Sequence, residues 1–188
     1  MVVFGATGAT GKLVGDQAIA AGHEVTRSTV RFGTEGELAQ ATELVRGHDA
    51  VLSCLGTRPW RHVDICSDGT RVIAAAMAGA GVRRLIVMSS QGVGDSKIGG
   101  VGGVFANALL GRSFRDKGKM EDQLQGAPLD WICVRPGLLT NGPARGTWRA
   151  ADDGSLVGGK ISRADVAAFM LAQLAVDEWV RRRPVLIW

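Results

Sequence analysis

Tyrosine is absent from this 188-residue chain, so no phenol is on hand as a proton donor or acceptor. Cysteine is sparse. Cys54, Cys66 and Cys133 are odd in number, widely spaced and set in apolar surroundings. They form no redox pair and no cysteine metal site, and they suit a reducing, cytoplasmic compartment. Histidine is as scarce: His23, His48 and His62 lie at no predicted strand end, and with Asp16, Asp49 and Asp64 they make no metal-like set, so no metal is expected. No run of about 18 apolar residues occurs, and the chain opens directly in a core strand, so neither a membrane span nor a signal peptide is expected. Charge of neither sign dominates, with 22 Lys and Arg against 18 Asp and Glu. The basic residues are scattered except for Arg181-Arg182-Arg183, which reads as a solvated face, and no nucleic-acid partner is expected.

What the chain does have is glycine, 27 residues of it, and the first three that matter stand at Gly5, Gly8 and Gly11. They follow the apolar run Met1–Phe4 and precede a helical pattern carrying Leu13, Val14, Ala18 and Ile19. A strand running through glycines into a helix is the layout of a dinucleotide-binding βα turn, where the backbone approaches a pyrophosphate at a helix N-terminus. Further strands are expected at 24–27, 29–32, 50–54, 84–88, 131–134 and 184–188. Helices are expected at 13–21, 36–45, 63–80, 114–124 and 164–174. Ser162 should cap the last helix, with Asp165 returning a bond to the cap's backbone N–H. Alternation of this kind predicts a single domain over residues 1–188: an α/β, Rossmann-type doubly wound parallel sheet with helices on both faces. One junction resists it. Only Ser28 separates the second and third strand candidates, which is too little for a parallel crossover. Either they form one long strand or residues are absent between Arg27 and Thr29, and the second reading is favoured.

The backbone of Thr7, Gly8, Ala9, Thr10 and Gly11 presents N–H groups to a phosphate, with the helix dipole adding to them. About 20 residues past the glycines stands Arg27 rather than a carboxylate, which leans toward NADP(H), with NAD(H) possible. Leu55, Gly56 and Thr57 follow the 50–54 strand, where Gly56 would let a loop pass close to adenine or ribose. Ser89 and Ser90 follow the 84–88 strand, where a ligand of an open α/β sheet reacts, although a serine there can equally bond a turn backbone. Lys117 and Glu121 share a helix face, as a surface ion pair or as part of the site. Arg135, Pro136 and Gly137 close the 131–134 strand, with Arg135 anchoring backbone or ligand. The glycine-rich stretch 98–111 reads as a mobile lid bearing Asn107 and Arg112.

Taken in order, Gly5–Gly11, Gly47–Leu52, Leu55-Gly56-Thr57, Val87–Ser90, Lys117-x-x-x-Glu121, Val134–Gly137 and Ile161–Val166 resemble the atypical branch of the short-chain dehydrogenase/reductase superfamily. Within it the chain is similar to the NAD(P)H-binding proteins grouped as NmrA-like and to the flavin reductase/biliverdin reductase B family. The resemblance spans nearly the whole chain. It implies a nicotinamide cofactor held by Gly5, Thr7, Gly8, Ala9, Thr10, Gly11, Arg27, Leu55, Gly56, Thr57, Ser89, Ser90, Lys117, Arg135, Pro136 and Gly137, with Ser90 and Lys117 catalytic. It also implies a longer segment between the second and third strands than this chain has. Two departures stand out. The superfamily's Tyr-x-x-x-Lys pair is broken, because Ser113 stands four residues before Lys117, and Gly137 stands where flavin reductase relatives carry a histidine.

Two functions follow as expectations. The first is an NAD(P)H-dependent reductase passing hydride to a planar small-molecule acceptor such as a flavin or quinone, which needs no strong dedicated acid. Its substrate pocket would come from loops 91–113 and 137–161. The second is a non-catalytic redox sensor that binds NADP(H) and reports to a partner, with Trp148, Trp179 and Trp188 as a partner or dimer surface. Monomer and homodimer both fit.

Overall fold

Val2, Val3 and Phe4 are buried without exposed surface, and a strand so apolar on both faces must lie inside a sheet covered twice. The computed structural model describes residues 1–56, 64–96 and 100–188, the side chains of 100–109 aside. In chain order the elements are β1 (Val2–Phe4), α1 (Ala9–Ala20), β2 (Thr26–Arg27), α2 (Glu37–Val45), β3 (Ala50–Ser53), α3 (Ile65–Ala80), β4 (Arg84–Met88), α4 (Gly100–Gln125), β5 (Asp130–Pro136), β6 (Leu138–Thr140), β7 (Arg149–Ala151), β8 (Lys160–Ser162), α5 (Arg163–Ala172) and β9 (Val185–Ile187). The main sheet runs β2-β1-β3-β4-β5-β9-β7, parallel throughout except where β7 meets β9 antiparallel, and β6 pairs with β8 apart from it.

Strand residues alternate between two cores. Val3, Leu52, Ile86, Ile132 and Val134 face α1 and α5, where Val14, Ala18, Phe169 and Met170 meet them. Val2, Phe4, Val51, Leu85, Val87 and Cys133 face α2, α3 and α4. Burying each of the larger side chains contributes about 1.5–3 kcal/mol, and the pattern confirms the doubly wound α/β fold.

Several boundaries differ from the sequence reading. The 29–32 segment forms no strand and β2 is not extended through it. The Ser28 hydroxyl accepts the Val30 N–H and turns the chain away, and Phe32 packs back on Phe4 at 5.9 Å between ring centroids. Residues 100–111 are helical rather than a lid loop, forming the first half of α4; Ile98 and the Asn107 side chain lie outside the described residues. Glycine costs about 1 kcal/mol inside a helix, yet extending an existing helix is far easier than nucleating one. Strands β6, β7 and β8 are three residues each, too short to show a period.

The tryptophans are not a bare partner surface. Trp179 is buried, Trp148 stacks edge-on against Phe169 at 5.8 Å, and Trp188 is half-buried under the Arg145 guanidinium at 3.6 Å. The basic run is likewise engaged. Arg182 grips Asp152 through two bonds of 2.6 Å, Arg183 reaches Asp95 at 3.9 Å, and Arg181 donates to the Leu129 carbonyl.

Ser162 caps α5 as expected, accepting the Asp165 N–H at 2.9 Å. The Asp165 carboxylate, however, turns elsewhere. It accepts the Ser162 hydroxyl at 2.8 Å, the backbone N–H groups of Arg145 and Gly146 at 2.9–3.0 Å, and the Trp188 indole N–H at 2.8 Å. Burial alone would raise its pKa, but these donors together hold it below the usual carboxyl range. Asp165→Asn is therefore expected to lower the unfolding free energy by about 2 kcal/mol or more, measured by chemical denaturation. Because the folded pKa is depressed, the charge stabilises fully above the ordinary value of 3.8 and less as pH falls through the folded value. The difference between the two proteins should shrink in acid.

Candidate functional site

The registers place the carboxyl ends of the parallel strands side by side, with Phe4 opposite Ser53, Ser53 opposite Val87 and Met88 opposite Val134. Gly5, Cys54–Gly56, Ser89–Ser90 and Arg135–Gly137 consequently form one rim, at the switch point where β1 has β2 on one side and β3 on the other. Ligands of open α/β sheets bind along such a rim.

The glycine turn is tight. Gly5 has φ +72° and lies against the residue that follows β3: a Cβ there would stand 2.6 Å from the Cys54 carbonyl oxygen. A Cβ on Gly11 would stand 2.2 Å from the Gly5 carbonyl oxygen. Only glycine allows α1 to start this close to the end of β1. The Gly8 N–H is bonded to Gly5 O, and the first helical bond runs from Lys12 N to Gly8 O. The N–H groups of Ala9, Thr10 and Gly11 therefore have no partner within the helix, and no acidic side chain occupies the first turn to offset the dipole. Thr7 and Ala9 are exposed at the opening, while Thr10 is buried beneath it.

Arg27 ends β2, but its guanidinium lies on Gly15, well inside α1, where a Cβ would approach it to 2.9 Å, and it pairs with Asp16 at 2.6 Å. Across the rim, Leu55 is half-buried against Gly69 of α3, no atom of the described residues comes within 4 Å of where a Gly56 Cβ would stand, and Thr57 lies outside the described residues. The Cys54 thiol is buried, which pushes its pKa up to about 12 and leaves it unreactive.

Helix α4 supplies the polar interior. Asp116, fully buried, accepts the N–H groups of Cys66 and Ser67 at 2.9 and 2.8 Å and so caps α3 from another helix. Lys117 donates to the Ser89 carbonyl at 2.7 Å, and its burial lowers the ammonium's pKa. Glu121 does not pair with Lys117. It accepts the Ser89 hydroxyl at 2.5 Å and the Arg135 guanidinium at 3.1 and 2.5 Å, all out of contact with water. Arg135 also donates to Asp95 at 2.5 Å. The guanidinium is thus held by two carboxylates, and burial is outweighed so that its pKa rises. The opposite partner, Asp95, is held below the usual carboxyl range despite its partial burial. Pro136 offers its carbonyl to Gln91 N at 2.9 Å, and Gly137 packs where a Cβ would meet Gly159 O at 2.8 Å. Sequence spacing put Glu121 beside Lys117 and gave no sign of its bonds to residues 14 and 32 positions away.

Ser90 alone of the pair keeps its hydroxyl near the surface, half-buried, with a bond of 3.1 Å to the Gln91 carbonyl. A cavity of about 370 Å³ opens beside Arg135, lined by Asp95, Asp152, Leu156, Val157, Arg183 and Val185. Asp95 comes from the 91–113 stretch and Asp152, Leu156 and Val157 from the 137–161 stretch, while Arg135 belongs to β5 and Arg183 and Val185 to the chain entering β9. Leu138 and Val157 are exposed apolar side chains, and the Leu138 N–H bonds to Gly159 O.

A family model described as NAD(P)H-binding matches residues 5–177. The fold is also similar to solved structures. ChuY of Escherichia coli strain CFT073 shares 26% identity with a TM-score of 0.82, over 99% of this chain and 94% of that one. ChuY of E. coli O157:H7, described as an anaerobillin reductase, shares 23% identity with a TM-score of 0.83, over 99% and 95%. An oxidoreductase of Lactococcus lactis, ylbE, shares 18% identity with a TM-score of 0.83, over 100% and 90%.

Gly11→Ala should raise the Kd for NADPH about tenfold or more, since the added methyl must push α1 off the end of β1. Calorimetric titration measures the loss, and a thermal melt of the same sample reports whether the fold survives.

Proposed function

We propose, from the premise that the chain belongs to the NAD(P)H-binding family of atypical short-chain dehydrogenases/reductases, that it is an NADPH-dependent reductase of a planar acceptor such as a flavin or quinone. The observation that carries this reading is the joint placement of an uncapped α1 N-terminus against a glycine-only turn and a serine hydroxyl at the end of β4. The glycine turn fits a dinucleotide, because the missing Cβ atoms at Gly5 and Gly11 let α1 start directly against the end of β1 and Cys54, which turns the N-terminus of α1 to the rim where a pyrophosphate would lie. The nicotinamide, when bound, supplies the hydride.

The chain's own residues then have separate tasks. The N–H groups of Ala9, Thr10 and Gly11 bind the pyrophosphate. Ser90 orients the acceptor by bonding its carbonyl. Lys117 has three N–H groups, one of them engaged by Ser89, and burial eases release of a proton from it. It takes the place of the missing tyrosine as proton source for the reduced acceptor. Leu138 and Val157 offer apolar surface to a flat ring system.

The preference for NADPH rests on Arg27, which ends β2 and whose guanidinium, lying on Gly15 of α1, is paired with the solvent-exposed Asp16 carboxylate. A 2′-phosphate would compete with Asp16 for it. Exposed pairs are worth about 0–1 kcal/mol, so Asp16→Asn should tighten NADPH by up to about fivefold and leave NADH unchanged. Arg27→Ala should remove the difference between the two nucleotides.

The deciding experiment is titration with NADPH and NADH, followed by absorbance of the nicotinamide band with FMN and with a quinone. NADPH loss that requires acceptor, lowered about tenfold or more by Ser90→Ala with binding intact, is the expected result. Tight binding with no turnover of any acceptor would assign the sensor role instead. No binding of either nucleotide would overturn both.

A further inference from the structure

We infer that Glu121, with Arg135 and Asp95 behind it, is a positioning device that fixes the Ser89–Ser90 segment for reaction. The inference rests on the reductase reading for its catalytic consequence but stands on geometry of its own. Ser89 is gripped at every polar atom. Its N–H donates to Val134 O at 2.7 Å, its carbonyl accepts from Lys117 at 2.7 Å, and its hydroxyl donates to Glu121 at 2.5 Å. Gln91 on the far side is gripped as firmly, through Pro136 O at 2.9 Å and through its side-chain amide to Leu156 O at 3.0 Å. Ser90 sits between two fixed neighbours, with its own hydroxyl left at the half-exposed surface.

Of these ties, the one through Glu121 does more than a local bond. The carboxylate is shared by the Ser89 hydroxyl and by Arg135, and Arg135 carries the connection out to Asp95 in the turn that follows Ser90. Gly94 in that turn lies against the same guanidinium, at 2.9 Å from where its Cβ would be. One buried carboxylate therefore links α4, the ends of β4 and β5, and residues 94–95. A buried ion pair of this kind gives little net stability compared with well-packed apolar side chains, so its presence points to a need for defined geometry. Removing only one partner would strand a charge in the core, so the variants must avoid that.

Two variants do so. Ser89→Ala cuts the tie to β4 and leaves the Glu121–Arg135 pair intact. Glu121→Leu with Arg135→Met removes the pair without leaving a lone charge. In hydrogen–deuterium exchange, both are expected to speed exchange at residues 89–96 about tenfold while the amides of β1 and β3 keep their protection. In turnover, both should lower kcat about tenfold or more, since misplacement by a fraction of an ångström is enough. In a Ser90→Ala background neither should lower kcat further, because the hydroxyl they position is gone. A purely structural role would lower kcat equally in both backgrounds and would loosen the whole fold. Unchanged exchange at 89–96 in both variants overturns the inference whatever the kinetics show. A parent protein that turns over no acceptor overturns the reductase reading alone, and exchange then decides the positioning device by itself.

Discussion

The backbone contact between Gly5, Gly11 and Cys54 is the constraint on which the rest of the molecule depends. Three chain segments meet there with no room for a single carbon on two of them. The contact sets how α1 leaves β1, and α1 in turn carries Val14 and Ala18 into the core shared with α5. The same crowding brings the first turn of α1, whose leading N–H groups have no partner within the helix, to the rim. Fold and phosphate site are consequences of one steric fact.

A second theme is that α4 turns charge inward. Asp116, Lys117 and Glu121 occupy one stretch of this helix, and each meets a different element: the start of α3, the end of β4 and the end of β5. Buried charge is tolerated when it is hydrogen-bonded, and each of the three is: Asp116 and Lys117 to backbone groups, Glu121 to Ser89 and Arg135. The helix thereby acts as a spine that registers three strand or helix ends against one another. The site needs such registration because its functional groups come from separate strand ends and not from one continuous segment.

The glycine turn, the alternation of strands and helices and the Ser162 cap were legible in the sequence because each is encoded within a few neighbouring residues. The partners of Glu121 were not, since Ser89 and Arg135 are brought to it by the sheet, and a helical spacing of four made Lys117 look like the natural choice. Arg27 was legible as a residue at the end of β2, but not its pairing with Asp16 on the neighbouring helix. The first half of α4 was hidden by its glycines, whose local cost is offset by growth from the remainder of the helix. Strands β6, β7 and β8 were hidden by brevity. Among the tryptophans, composition could not separate core from surface; Trp179 is buried, and Trp148 is half-buried against the core.

The pairing of α1 with α5 carries a consequence for how the chain is made. Gln17 bonds the Ala164 carbonyl across 147 positions, and the core shared by the Val3 face of β1 and the apolar face of α1 is completed only when α5 arrives. During synthesis those faces stand open until most of the chain has left the ribosome, so the N-terminal half cannot complete its core on its own. Contacts of such long sequence separation slow folding and lengthen the period in which apolar surface is available to other chains. The price of a cofactor site built at the very start of the chain is a dependence on its last quarter, and cellular yield should respond to chaperone supply more than the modest size of the domain would suggest.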